Sequence, residues 1–494
     1  MLSFSELQKL SETYNVIPIT KRLFASTETP LGVYQKLCGI RPNTFLLESA
    51  EQGVWGRYSF IGVESRGQLV ADLQRAWFIG AEPLPDAATL PSAPLEALEA
   101  LQRAWKSAPT DFPLSSGLVG FVSWGAVNLI EKLPEAGGRD YEVPLLGFNQ
   151  FSELIVMDHQ RSELLLVSVI FIDGGDLEVK YSAALSSIAA LEAELSRPTQ
   201  AQLSEPNWPT PVFSKRTKPE DYLAQVEKAK EYVRAGDVFQ VVISQRFDQE
   251  IKADAIDVYR ALRALNPSPY MYLTRWQDEA GDFAIVGSSP EALVKVSGRQ
   301  AITHPIAGSR PRDLDTARDN ALAQELLADA KEQSEHLMLV DLARNDLLKV
   351  CEPSSLSVTE FMQVHRFSHV MHLVSTVEGK LRADCGPVDA LRATFPAGTL
   401  SGAPKPRALE IIHELEPADR GLFGGVVGYF DFAGNADLAI AIRTALVRDG
   451  MARIQAGAGI VLDSVPASEY AETEAKAAVV LRAVAAAGGM RREI

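Results

Sequence analysis

The sequence predicts a mixed α/β chain in which strands outnumber helices, and three observations carry that prediction. The first is a hairpin: "ELIVMD" and "LLLVSVIFI" (164–172) flank the polar turn "HQRSE", so that 153–172 reads as two paired strands. The second is the helix "PEDYLAQVEKAKEYVRA", 219–235. Proline stands at its start, acids fill its first turn, and Tyr222, Val226, Ala229 and Val233 share one face before Gly236 ends it. The third is length: 494 residues exceed what one hydrophobic core usually supports, which calls for two lobes or one large composite fold.

The remaining elements follow in order. "TFLLES" (44–49) and "GLVGFVSWG" (117–125) read as strands, and "YSAALSSIAALEAELS" (181–196) as a helix covering the sheet. The stretch 196–221, rich in proline and polar residues, reads as a connection between an N-terminal region, 1–200, and a C-terminal region, 213–494. Beyond it, strands are predicted at "DVFQVVISQRF" (237–247), "FAIVGSS" (283–289), "ALVKVS" (292–297), "GVVGYFDF" (425–432), "LAIAIRTALV" (438–447) and "ARIQAGAGIVL" (452–462). One long helix is predicted around 314–347 and a last one over about 467–486.

Composition narrows the function. Hydrophobic residues make up 46% and charged ones 23%, ample for a core. A formal net charge of −16 argues against nucleic acid or an anionic membrane as the main partner. It leaves room for a small anion held by local cations, backbone N–H groups or a metal. Cys38, Cys351 and Cys385 form no CxxC pair, so neither a disulfide framework nor a zinc site is expected, and a reducing compartment fits. The start has no signal-peptide pattern, and the run at 164–172 is about half a membrane span. A cytoplasmic protein is expected.

Two acidic pairs stand out. In "KEQSEHLMLVDLARNDL" (331–347), Glu332 and Glu335 lie one helical turn apart next to His336; in "SEYAETEAK" (468–476), Glu469 and Glu472 repeat the spacing, with Lys476 a turn on. They read either as solvated helix surface or as four carboxylates converging on a divalent cation. A hard cation such as Mg²⁺ takes oxygen ligands, whereas seven histidines without an HExxH pattern disfavour zinc. "AGAGIV" (456–461) fits tight strand packing or N–H groups presented to a carboxylate. "FPAGTLSGAPKPRALEII" (395–412) fits a plain loop or an anion-binding helix start. "THPIAGSRPRD" (303–313) adds two arginines and a Gly–Ser step.

Taken in order, these motifs together with "RFSHVMHLVSTVEG" (366–379), "GGVVGYFDFAGNADLAIAIRT" (424–444), "QAGAGIVLDSVPASEYAETEAKA" (455–477) and "TFLLESAEQGVWGRYSFIG" (44–62) resemble the chorismate-utilising enzymes, and within them the anthranilate synthase component I family. The resemblance implies large antiparallel and mixed sheets packed face to face with helices outside. Relatives divide by nucleophile. Aminodeoxychorismate synthases typically carry a lysine where this chain has Ala307, and isochorismate and salicylate synthases use a lysine at the position matching Gln240. Without either amine, ammonia is the fitting nucleophile.

The resemblance further implies Mg²⁺ on Glu335 and Glu472, with Glu332 and Glu469 nearby. Glu291 is implied as general acid, which requires a raised pKa. His372 is implied in the elimination, although a satisfied buried histidine is the plain alternative. Tyr429, Arg443 and the N–H groups of Gly457, Ala458 and Gly459 would grip the enolpyruvyl carboxylate; Gly308, Ser309, Thr399 and Lys476 would complete the pocket, Ser309 standing where threonine is usual. Glu48, Ser49, Pro269, Tyr270 and Met271 match a tryptophan feedback site, whose "NPSPYMY" motif (266–272) ends in Tyr272 where phenylalanine is common. No cysteine sits in a glycine-flanked nucleophile turn, so a separate glutamine amidotransferase subunit is expected, in a complex of two large and two small subunits. The competing expectations are an aminodeoxyisochorismate, isochorismate or salicylate synthase, or a non-catalytic tryptophan sensor.

Overall fold

The computed structural model describes residues 1–24, 27–50, 56–134, 138–198, 204–205, 207–366 and 370–490. Residues 51–55 and 367–369 of the motifs above, and 199–203 and 206 of the proline-rich stretch, lie outside the described residues.

Two long strands, Tyr58–Ala71 and Leu146–Asp158, form the spine, antiparallel from Tyr58 opposite Asp158 to Ala71 opposite Leu146. The register shifts between Gly62 and Gly67, which bends the pair. Two antiparallel ladders leave this spine. The first runs from Leu146–Asp158 through Gly117–Val122, Val426–Asp431, Ala436–Ile440, Ala292–Ser297 and Gln300–Thr303 to Val370–Lys380, which also pairs with Ile306–Pro311 and Ser357–Arg366. The second runs from Tyr58–Ala71 through Phe45–Glu48, Tyr270–Asp278, Gly281–Ser289, Thr444–Arg448 and Met451–Ile460 to Gln240–Glu250. The predicted hairpin pairs Glu153 with Ser168 through Asp158 with Glu163.

Strands from before and after the proline-rich stretch are therefore direct neighbours, in Phe45–Glu48 against Tyr270–Asp278 and Gly117–Val122 against Val426–Asp431. The largest apolar cluster joins Val294, Leu438 and Ile440 of the first ladder to Val241, Ile243 and Ile460 of the second, so the main core lies between the two sheets. Helices cover the outside. Val480, Leu481 and Val484 of Pro466–Ala487 and Ile256, Tyr259 and Leu262 of Ala255–Leu265 pack in one cluster with Ile454 and Ala456 of the second ladder.

The helix Pro219–Ala235 forms where predicted, with Pro219 in its first turn and Gly236 at φ 82° closing it, a conformation that a Cβ disfavours. Two expectations fail. The long helix of 314–347 is two, Thr316–Ala328 and Ala330–Leu348. Asp329 between them is extended (ψ 106°) and its carboxylate accepts from the N–H groups of Lys331 and Glu332 at 3.0 and 3.2 Å, so capping the second helix replaces continuation of the first. "LAIAIRTALV" is not one strand but Ala436–Ile440 and Thr444–Arg448, with Arg443 at φ 49° between them. The two pieces belong to different ladders, and the chain turns at 441–443 to pass from one sheet to the other.

Candidate active site

Glu291 and Arg443 owe their positions to two such crossings. Gly281–Ser289 lies in the second ladder and Ala292–Ser297 in the first, so Pro290 and Glu291 bridge the sheets as Ala441–Arg443 do. The crossings are tied together: Ile440 N–H donates to the Glu291 carbonyl at 3.0 Å and Ser288 N–H to that of Arg443 at 3.1 Å. Both residues open onto a cavity of about 630 Å³. Its other walls are strand ends of both ladders, two long helices, the short helix Gly398–Ser401 and the segment 266–269.

The helix Ala330–Leu348 contributes Glu332 and Glu335, and Pro466–Ala487 contributes Glu469, Glu472 and Lys476. Glu335 accepts from the Gln240 amide at 3.3 Å, and Lys476 pairs with Glu472 at 2.7 Å while donating to the Gly457 carbonyl at 3.0 Å. Burial, and then the charge of Glu335, pushes the Glu332 carboxyl above its ordinary value; burial raises Glu469, the charge of Glu472 adds to it and a hydrogen bond from Ser464 opposes it. Crowded carboxylates of this kind are eased by a cation. Among the described residues no three or more acidic, His or Cys side chains close into a ready cage. The donor set nevertheless fits Mg²⁺, which needs only one or two carboxylates and keeps several waters.

Glu291 accepts from the Thr399 hydroxyl at 2.9 Å. Burial lifts its pKa from 4.5 to about 7, against the opposing hydrogen bond from Thr399 and the charges of Lys476 and Arg443. A carboxyl so placed holds a proton near neutrality and can give it up. Burial also lowers the His372 pKa, so the ring is neutral; Nδ1 lies 2.8 Å from the Gly308 carbonyl, which can only accept, so Nδ1 carries the hydrogen and Nε2 is the basic nitrogen. Gly308 has φ 69°, and a Cβ there would stand 2.9 Å from Glu332 Oε2. Gly459 leaves room for Gln240, whose Nε2 would lie 2.3 Å from a Cβ at that position.

Most of the sequence-derived set meets on this cavity: Gln240, Glu291, His372, Arg443, Gly308, Ser309, Thr399, Gly457, Gly459, Lys476 and the four glutamates. Two residues do not line it. Ala458 alternates with the two glycines and is fully buried in the main core, so its side chain points away from the cavity. Tyr429 packs toward Phe60, ring centroids 6.3 Å apart, and the aromatic residue on the cavity is instead Phe423. The clue was the aromatic ahead of a glycine pair in "FGG"; strand periodicity could not show it. Asn266, Pro267 and Ser268 also line the cavity beside Pro269, so the "NPSPYMY" segment serves the catalytic space as well.

Of the residues matched to feedback, Met271 lies opposite Glu48 across paired strands and is buried. Glu48 is already engaged, accepting from the Tyr259 hydroxyl at 2.6 Å and paired with Arg263. Among the described residues the buried Ser49 hydroxyl has no hydrogen-bond partner, and Tyr270 donates to Asp437 at 2.9 Å.

A chorismate binding enzyme family model matches residues 42–482, and the chain belongs to that family. Its similarity to anthranilate synthase component 1 proteins runs end to end. The protein of that name from Arthrobacter globiformis is 48% identical over 497 residues, covering 98% of this chain and 93% of the relative. That of Mycolicibacterium smegmatis is 46% identical over 494 residues, covering 98% and 94%. The crystal structure of anthranilate synthase component I from Streptococcus pneumoniae aligns with a TM-score of 0.78 at 33% identity, covering 93% of this chain and 99% of that one. Among the described residues no helix is long and apolar enough to cross a membrane.

Proposed function

We propose that the chain is the chorismate-converting component of an anthranilate synthase, taking chorismate and ammonia to anthranilate, pyruvate and water. The observation that carries this reading is a cavity that joins a protonatable Glu291 to two positions, Ala307 and Gln240, that offer neither an amine nucleophile nor a base for water. Ammonia needs neither. Full-length similarity to relatives named for this activity supports it.

Glu335 and Glu472, with Glu332 and Glu469 behind them, would hold a divalent cation, which supplies positive charge to the ring carboxylate of a dianionic substrate. The chain's own groups do the rest. Arg443 and the N–H groups around Gly457 and Gly459 grip the enolpyruvyl carboxylate. As ammonia bonds to the ring, Glu291, oriented by Thr399, protonates the departing hydroxyl, which leaves as water. The new ammonium group returns a proton to Glu291. His372 Nε2 then takes a ring proton as the enolpyruvyl group departs and the ring becomes aromatic. That proton, passed on to the methylene carbon of the released enolpyruvate, completes pyruvate.

A separate glutamine amidotransferase subunit would supply the ammonia in a complex of two large and two small subunits. L-tryptophan would inhibit through the Glu48–Ser49 and Pro269–Met271 region. The test is the purified chain with chorismate, Mg²⁺ and an ammonium salt. Fluorescent anthranilate with equimolar pyruvate supports the reading; isochorismate, salicylate or an amino-cyclohexadiene product, or no turnover, rejects it.

A further inference from the structure

Arg443 is held in the left-handed region at φ 49° without being glycine, a conformation that neighbouring contacts must stabilise. Two sets of contacts do so. On one side, Ser288 N–H donates to the Arg443 carbonyl at 3.1 Å. On the other, the Thr444 hydroxyl donates to the Ile442 carbonyl at 2.8 Å, and Tyr272 Oη lies 2.6 Å from that same hydroxyl oxygen. Thr444 has one hydrogen and spends it on the carbonyl, so Tyr272 is the donor in a one-way chain from Tyr272 through Thr444 to Ile442. Both hydroxyls are out of water, Tyr272 being 2% and Thr444 8% exposed, while Ile442 itself lines the cavity. Tyr272 lies flat on Gly287, where a Cβ would stand 2.2 Å from its ring, so its hydroxyl is aimed by packing.

We propose that Tyr272 and Thr444 are positioning residues, whose hydroxyls lock the Ile442–Thr444 turn so that the Arg443 guanidinium meets the substrate carboxylate. The inference rests on the reading that Arg443 binds chorismate. It gives the tyrosine at the end of "NPSPYMY" a task that phenylalanine there could not perform. Tyr272 is set on the same strand as Met271, whose neighbour across the sheet is Glu48, so the strand reaches from the region assigned to feedback to the catalytic turn.

The test uses Tyr272→Phe, which keeps the ring on Gly287 and removes one donor, with ammonium as the amine source. The chorismate KM rises about fivefold, the usual effect of one lost buried hydrogen bond, while kcat stays within about twofold. Thr444→Ser, which keeps the hydroxyl, behaves as wild type. In an Arg443→Ala background, Tyr272→Phe adds nothing to KM, because the turn then has no guanidinium to aim. A wild-type KM in Tyr272→Phe, or the same multiplication of KM with and without Arg443, overturns the proposal while leaving the site reading intact. A wild-type KM in Arg443→Ala itself overturns the assignment of Arg443 and the proposal with it.

Discussion

Glu291→Gln keeps the side-chain shape and the oxygen that accepts from Thr399 at 2.9 Å, and removes only the acidic proton. In the native chain that carboxyl titrates at about 7 instead of 4.5, chiefly because burial opposes its charge. For the rate, the proton donor is present below pH 7 and is lost as pH rises through about 7. The wild-type kcat therefore falls about tenfold per unit on the alkaline side, and the variant loses both this limb and roughly 10²–10⁴ of kcat. For stability, the folded value lies above the unfolded one. Stability is complete below pH 4.5 and is lost as pH rises from there through about 7. The gap amounts to about 3 kcal/mol at pH 8 and about 1 kcal/mol at pH 5. Glutamine carries no such penalty. For a chain of this size about 1 kcal/mol moves Tm by about one degree, so between pH 5 and 8 the variant gains about 2 °C on wild type. Initial rates of anthranilate formation from pH 5.5 to 9, with melting curves at pH 5 and 8, read the two effects. A variant that keeps the alkaline limb, or whose Tm difference from wild type does not change with pH, refutes the assignment.

Two further outcomes follow from the geometry. Gly308→Ala puts a Cβ in the left-handed region and 2.9 Å from Glu332 Oε2, so it destabilises by about 1–2 kcal/mol and lowers turnover; calorimetry and ammonium-dependent rates check both, and an unaffected enzyme contradicts the packing. Ser49→Phe puts a bulky ring at a buried hydroxyl that has no partner among the described residues, and relieves inhibition by L-tryptophan while preserving ammonium-dependent turnover; inhibition curves that superpose on wild type reject the feedback assignment.

Local chemistry made parts of this molecule legible. Pro219 and Gly236 mark the ends of their helix because each has a backbone consequence that does not depend on the rest of the fold. The two Glu pairs share faces because helical spacing demands it, and both reach the cavity. What stayed hidden depends on distant partners. The run 438–447 is apolar apart from Arg443 and Thr444 and holds no glycine or proline, so an Arg–Thr step is the one local sign that its halves join different sheets and turn at a non-glycine residue. The break at Asp329 lacks glycine or proline and rests on one side-chain cap. Tyr429 and Phe423 are six positions apart around a glycine pair, and only the crossing of the sheets decides which aromatic meets the cavity.

The most direct measurement titrates Mn²⁺, as a paramagnetic stand-in for Mg²⁺, into the folded chain and follows the free ion by electron paramagnetic resonance. Glutamates from the two helices sharing one cation predict a single site per chain, tightened by chorismate and lost in both Glu335→Gln and Glu472→Gln with Tm preserved. Mn²⁺ binding that survives intact in either variant contradicts a shared cation.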